Sequence, residues 1–439
     1  MMGESPVFQR GLISVLFFGV SLYAQDHNSP QHMHMQMPDM KMPAMNAAGM
    51  FLMNLSSGTA VNPAAWPMPM IMKPLGSWNT TYMAQAFIND TQQSGPRGGD
   101  KLFSTNWFMT NAEHQLGKKG AFQIQLMLSL EPATVTDRRY PLLFQTGETA
   151  FGKPIVDGQH PHDFVMSLGF QYALSLGENT TLEFYFAPVG DPALGPIAYP
   201  HRASAMELPQ ATLAHHWQDS THIANDVATV GIAYKQFKLE ASGFYGTEPD
   251  EFRWDIDSGP MNSWSTRLWY FPGPNWAAQF SIGHLAHPEV LEPGDQTRTT
   301  ASLAYSKPLP GGSWSSSFIW GRDHSTYTKR NLNSYTMESV LPIARKNFIT
   351  GRIELVDKDE LFAGRPDVEE FLDIFYGSSF RVGGYTIGYT RDFDIFPHVE
   401  TGIGVNLEMY SLPAAIKPYY GDHPIGGNVF VRFRLKARS

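Results

Sequence analysis

The stretch from Asp226 to Tyr245, DVATVGIAYKQFKLEASGFY, limits what this chain can fold into more than any other. Ala228, Val230, Ile232 and Tyr234 alternate with Thr229, Gly231 and Ala233. Beyond Lys235-Gln236, Phe237, Leu239, Ala241, Gly243 and Tyr245 alternate with Lys238, Glu240 and Ser242. Period two on both sides of a two-residue break reads as a β-hairpin, because successive strand side chains point to opposite faces. One face is aliphatic and aromatic, the other small or polar. A soluble sandwich would turn its bulk inward and Lys, Glu, Thr and Arg outward; this division instead suits lipid outside and a wet lumen inside.

The same alternation runs from Gly76 to the end of the chain and predicts sixteen strands, the first over 76–89 and the last over 428–436. The fold class that follows is all-β, a transmembrane antiparallel up-and-down β-barrel. Composition agrees: charged residues are 17%, below the roughly 25% of an average globular domain. Aromatics are 13%, enough for rings at the borders of a membrane. No run is long and apolar enough for a spanning helix of about 20 residues, so a membrane is crossed by strands. Connections after even strands are short (SLGEN, Lys235-Gln236, PGPN), whereas those after odd strands are long, notably 131–162 and 188–224. Short turns on one rim and long loops on the other are the outer-membrane pattern, and an even count puts both termini on the periplasmic side.

Residues 1–24 read as a signal peptide: Arg10, an apolar core from Gly11 to Leu22, and a cleavage point after Ala24. Residues 25–75 are rich in Met, His and Pro and read as a disordered periplasmic tail, since prolines so dense break helices and ladders. Residues 76–439 form the barrel. With no cysteine, disulfides and a lipoprotein anchor are excluded. A net charge of -9 excludes general affinity for nucleic acid.

Two groups of residues could carry chemistry. The first is His32, Met33, His34, Met35, Met37, Met40, Met42 and Met45. Thioether sulfur is a soft ligand and imidazole a borderline one, so such a tract on a mobile backbone can hold copper in either oxidation state, or silver. The second is His160 and His162 in DGQHPHDF, between Asp157 and Asp163, together with His215 and His216. His201 and His222 lie in the same long loop as the latter pair. If the two loops meet over the pore, His160, His162, His215 and His216 could share a metal; the plainer reading is a hydrogen-bonded constriction. Arg267, Arg352, Glu354, Arg381, Glu400, Arg432 and Arg434 are expected to line the lumen as ion pairs. No nucleophile elbow, zinc-protease helix or phosphate loop occurs, so the chain reads as a non-enzyme.

An export signal, a Met/His-rich segment and a following barrel resemble the copper-resistance outer-membrane proteins of the copper resistance protein B type. The resemblance covers Gln25 to about Pro74 by composition and the rest by architecture. It implies copper handling at the bacterial outer membrane, contributing to copper resistance or export, with outer-membrane lipid, periplasmic copper ions and periplasmic copper proteins as partners. Two other readings stand beside it: a general porin-like channel with an incidental tail, and a surface enzyme or adhesin carried on the long outer loops.

Overall fold

The computed structural model describes residues 45–290, 293–344, 346–371 and 379–436. The chain opens with helix α1 (Ala47–Met53) and a short strand β1 (Ile71–Leu75). The first wall strands are β2 (Trp78–Gln93), β3 (Asp100–Leu116) and β4 (Gly120–Leu128), followed by a separate two-stranded hairpin, β5 (Tyr140–Ala150) and β6 (Lys153–Gln159). The wall resumes with β7 (Val165–Gly177), β8 (Thr180–Gly190), β9 (Ala224–Tyr234), β10 (Phe237–Tyr245), β11 (Ser263–Tyr270) and β12 (Trp276–Leu285). It continues through β13 (Gln296–Leu309), β14 (Gly312–Ser325), β15 (Asn331–Ala344) and β16 (Asn347–Lys358), and ends with β17 (Phe380–Phe396), β18 (Val399–Ser411) and β19 (Ile425–Leu435).

Each wall strand pairs antiparallel with the next, and β19 pairs with β2, so β2–β4 and β7–β19 form a closed 16-stranded antiparallel barrel. The sixteen predicted strands all exist. The defining hairpin behaves as its alternation dictates: Val230 and Leu239 are 49% and 53% exposed on the outside, while Lys238 and Glu240 are 2% and 1% exposed within. Its two-residue turn places Lys235 at φ 53°, the left-handed conformation that tight hairpins demand. Trp264, Leu268, Phe280, Ile353, Ile403, Val405 and Leu407 continue an apolar outer belt suited to lipid.

Inside, charges pair across the rungs. Arg267 bonds Glu240 at 3.0 Å, Arg352 bonds Glu338 at 3.1 Å, and Arg434 bonds Glu400 at 2.8 Å. Arg432 is fully buried between Glu207 and Asp392. Arg381 departs from the expected lining: it is exposed and pairs with Asp357 at 2.8 Å.

A barrel of 16 strands is wide enough to leave an aqueous channel unless something fills it. Here the chain fills it from both rims. The β8–β9 connection leaves from the long-loop rim, yet its Glu207 reaches Arg432 and Arg434, close to the end of β19 at the opposite rim. Residues 191–223 of this connection are buried throughout.

From the short-turn rim comes the N-terminal segment. Asn46 caps α1 by accepting from Gly49 N at 2.8 Å, and its amide donates to Gly120 O at 2.9 Å, beside the β3–β4 turn. At Gly49 a Cβ would stand 2.7 Å from Glu113 Oε1, so a side chain there would have to push that carboxylate aside. The segment climbs to Asn62, which donates to His201 O at 3.0 Å and accepts from Ala203 N at 3.1 Å. It then descends to the Pro274 turn, where Ala65 N donates to Pro274 O at 2.8 Å, and joins β2 through β1. On the way Lys238 and Arg267 both grip Thr59, at 2.7 and 2.9 Å.

The expectation of a disordered tail as far as residue 75 therefore needs correction. Met45 to Met70 is folded inside the barrel and Ile71–Leu75 pairs with β2, because Ala48, Leu52, Leu55 and Ala60 supply the apolar contacts that a compositional reading overlooked. The expected signal peptide and the tract from His32 to Met42 lie outside the described residues. The long connections are likewise not simply outer loops, since much of their length turns inward.

Candidate metal centre in the lumen

The histidines singled out from the two long loops come together. Ring centroids lie 5.6 Å apart for His160–His216, 6.0 Å for His160–His215 and 5.3 Å for His215–His216. His162 approaches this group through His222, which is 5.3 Å from both His162 and His215. Local structure explains the placement. Pro161 separates His160 from His162 on an extended segment after β6, while His215 and His216 open a single helical turn that brings His215 Nδ1 to Asp219 Oδ1 at 2.7 Å. Asp219 in turn accepts from Tyr199 N and from Arg202, each at 3.0 Å, and Arg202 is held to Glu338 of the wall at 2.5 Å.

Carboxylates face each ring. Glu131 Oε2 is 3.0 Å from His162 Nδ1, and Glu148 Oε1 is 3.1 Å from His160 Nε2. Glu248 Oε2 and Glu289 Oε1 lie 3.1 and 3.3 Å from His216 Nδ1. Among the described residues His216, Glu248 and Glu289 offer one ligand atom each, all within 4.8 Å of one another. They come from three successive connections on one rim, β8–β9, β10–β11 and β12–β13. The 3.1 Å approach lacks hydrogen-bond geometry, leaving His216 Nδ1 and Glu248 Oε2 buried without a hydrogen-bond partner. Gly147, at φ 116°, makes room for this ring: a Cβ there would stand 2.4 Å from its Nε2.

Electrostatics separates the rings. Burial, together with neighbouring imidazoles, holds His160 and His222 well below the usual histidine range, so both are neutral ligand-like bases. Burial opposes protonation of His216 as well, but Glu248 and Glu289 outweigh it and raise the ring to about 10. Burial and the charge of Glu248 push Glu289 up to about 7. The His216 ring is thus an imidazolium between two carboxylates, and it becomes the nitrogen of a donor set for a borderline divalent cation when that cation displaces its proton.

The carboxylates expected beside the loop histidines do other work. Asp157 pairs with Arg97 at 2.6 Å, and Asp163 approaches Arg253 at 3.4 Å. Glu248 and Glu289 carried no sequence signal, each being one acid in a polar loop. Of the Met/His tract only Met45 is described. It is partly buried against a cluster in which six of eight core members are methionine: Met53, Met70, Met83, Met109, Met127 and Met166, with Val189 and Ile223. Into this cluster projects His201, its Nε2 3.2 Å from Met127 Sδ and its ring 4.3 Å from that of Trp107. Burial lowers His201 to about 3.

No protein-family model matches the sequence, and no curated protein matches it. Solved structures do. The chain is similar to Salmonella typhi OmpF, determined in complex with daunomycin, with a TM-score of 0.51 at 8% identity over 83% of this chain and 100% of that one. The fold is that of an outer-membrane porin barrel. An anion-selective porin from Comamonas acidovorans aligns with a TM-score of 0.47 at 12% identity, over 81% of this chain and 99% of that one. An outer-membrane protein of Vibrio cholerae, OmpT lacking loop L8, aligns with a TM-score of 0.47 at 7% identity, over 82% and 99%.

Proposed function

We propose that this chain is a metal-binding barrel of the bacterial outer membrane, with a lumen occupied by its own loops and a divalent transition ion, copper foremost, as its ligand. The observation that carries the reading is the convergence of His216, Glu248 and Glu289 from three connections onto one buried point. Donor chemistry points to a borderline cation, and among divalent ions of the first row Cu(II) binds such nitrogen and oxygen sets most tightly. His160 and Glu148 stand close enough to widen the donor set. The tract His32, Met33, His34, Met35, Met37, Met40 and Met42 is on this reading the capture arm for copper or silver, delivering ions to the barrel. Contribution to copper resistance or export follows from the same assignment.

The test is titration of purified full-length protein with Cu(II), followed by electron paramagnetic resonance. One equivalent with nitrogen coupling is expected to disappear in H216A and E248Q while the variants keep heat-modifiable mobility on gels. Retention of every Cu(II) equivalent in both variants overturns the assignment. A second reading, a porin-like channel, is favoured by the porin architecture. Ion conductance of wild-type protein in planar bilayers at the level of an open 16-stranded pore would establish it over the first.

A further inference from the structure

The methionine cluster is ordered by sheet register. Met83 of β2 is the direct partner of Met109 of β3, and Met109 is the direct partner of Met127 of β4. All three are buried on the inner face. Met127 is opposite Ser167 of β7, and Met166, the residue left unpaired by the register shift beside it, packs into the same cluster. Three thioethers thus run across three neighbouring strands, and Met166, with Met53 and Met70 of the N-terminal segment, packs against them.

We infer that this row is a site for a soft monovalent cation, Cu(I) or Ag(I), bound by the thioethers of Met83, Met109 and Met127 with His201 Nε2 as a nitrogen donor. The site shares no residue with the His216 centre and stands or falls separately from it.

Three arguments support it. The first is geometric. Adjacent strands lie about 4.8 Å apart, and metal–sulfur bonds of about 2.3 Å place the sulfurs of a four-coordinate ion ~4 Å apart. Met83 and Met127 stand two spacings apart, about 9.6 Å, so their long unbranched side chains must both lean toward Met109, the middle residue of the row, to bring the three sulfurs round one ion. The second is charge. Thioethers and a neutral imidazole bring no negative charge, and the desolvation of an ion grows with the square of its charge, so a monovalent ion enters this buried place far more readily than a divalent one. Soft ligands select soft ions in the same direction. The third is the composition of the packing. Where the lumen is filled for packing alone, around Tyr140, Leu143, Phe144 and Val356, it uses aromatic and branched residues. A methionine costs more side-chain entropy to bury than a leucine of similar volume, so a core chosen only to fill space does not collect six of them.

The experiment uses the full chain in detergent, with Ag(I) and with Cu(I) held by a competing chelator. M83L/M109L/M127L keeps volume and removes sulfur, and M337L, on the exposed outer face, is the control. The triple variant is expected to bind one equivalent fewer than wild type and the control to bind the same number. The sulfur contribution to the copper X-ray absorption spectrum should fall in step. M127L alone is expected to weaken that equivalent by at least about tenfold, ~1.4 kcal/mol, and it decides the matter if the triple variant does not assemble. Equal stoichiometry and affinity in wild type and in the folded triple variant, or in M127L, overturns the assignment.

Discussion

Arg202 is the bolt that fastens the inward-folded β8–β9 connection to the barrel wall, and its removal should open the lumen. The guanidinium is buried, with Asp219 at 3.0 Å on its own connection, Glu338 at 2.5 Å on β15, and the carbonyl of Ile197 at 3.0 Å. R202M keeps most of the volume and removes the charge. Breaking a buried pair from one side costs roughly 3–5 kcal/mol. Here the lower end applies, because Glu338 keeps Arg352 and Asp219 keeps His215. A loss of ~3 kcal/mol raises the population with this connection released by roughly a hundredfold, at 1.4 kcal/mol for each factor of ten. Planar bilayers report it directly: wild type should conduct little, and R202M should show bursts of porin-like conductance. Protease should cut within 191–223 in the variant while the strands stay intact. If R202M matches wild type in both conductance and cleavage, the connection is not held in place by this contact, and the account of the filled lumen fails at its main fastening.

Gly147→Ala tests the proposed Cu(II) centre without touching a ligand. Its Cβ would occupy the place of the His216 ring, so the equivalent lost in H216A should be lost here too, measured by the same resonance signal. A pH dependence follows from His201, whose folded value of about 3 lies below the ordinary 6.5. The unfolded ring takes a proton below 6.5 and the folded one does not, so this contribution is complete above pH 6.5 and declines as pH falls toward 3. Glu289, raised to about 7, works in the opposite direction, so the measure is a comparison. Between pH 6.5 and 5, wild type should lose about 1 kcal/mol per pH unit more than H201Q, the slope steepening toward ~1.4 at the acid end, read from urea midpoints of heat-modifiable mobility; parallel curves would contradict it.

The wall was legible because lipid and lumen impose opposite chemistry on alternate residues. Val230 and Lys238 announce their sides without any knowledge of neighbours, and each of the sixteen strands could be found from its own sequence. The filling was not, because it depends on residues far apart meeting inside. Ala48 and Leu52 gave no periodic signal long enough to stand out from the prolines around them. Met83, Met109 and Met127 are separated by whole strands and become a row only once register is fixed. The loop histidines were visible as a composition, and their meeting was the condition set for a shared site. Glu248 and Glu289, which complete the triad, are single acids that nothing in one dimension distinguishes from solvated ones.

The path of the N-terminal segment also sets the order in which the molecule can be built. Met45 to Leu75 precedes β2, and β2 is one side of the seam whose other side is the last strand, β19. Contacts across that seam, such as Thr91 with Asn428, join residues 337 positions apart. The segment rises from the short-turn rim to Asn62 and returns. A loop of this kind is easily laid against an open, curved sheet and is hard to thread into a finished cylinder. Lys238 and Arg267, which hold Thr59, belong to strands made long before β19, so the grip can form while the sheet is still open. On that order of assembly the seam shuts last, over a lumen already furnished. A bulky domain fused between Met53 and Asn62 would have to be enclosed along with the segment, and is expected to block closure of the β19–β2 seam.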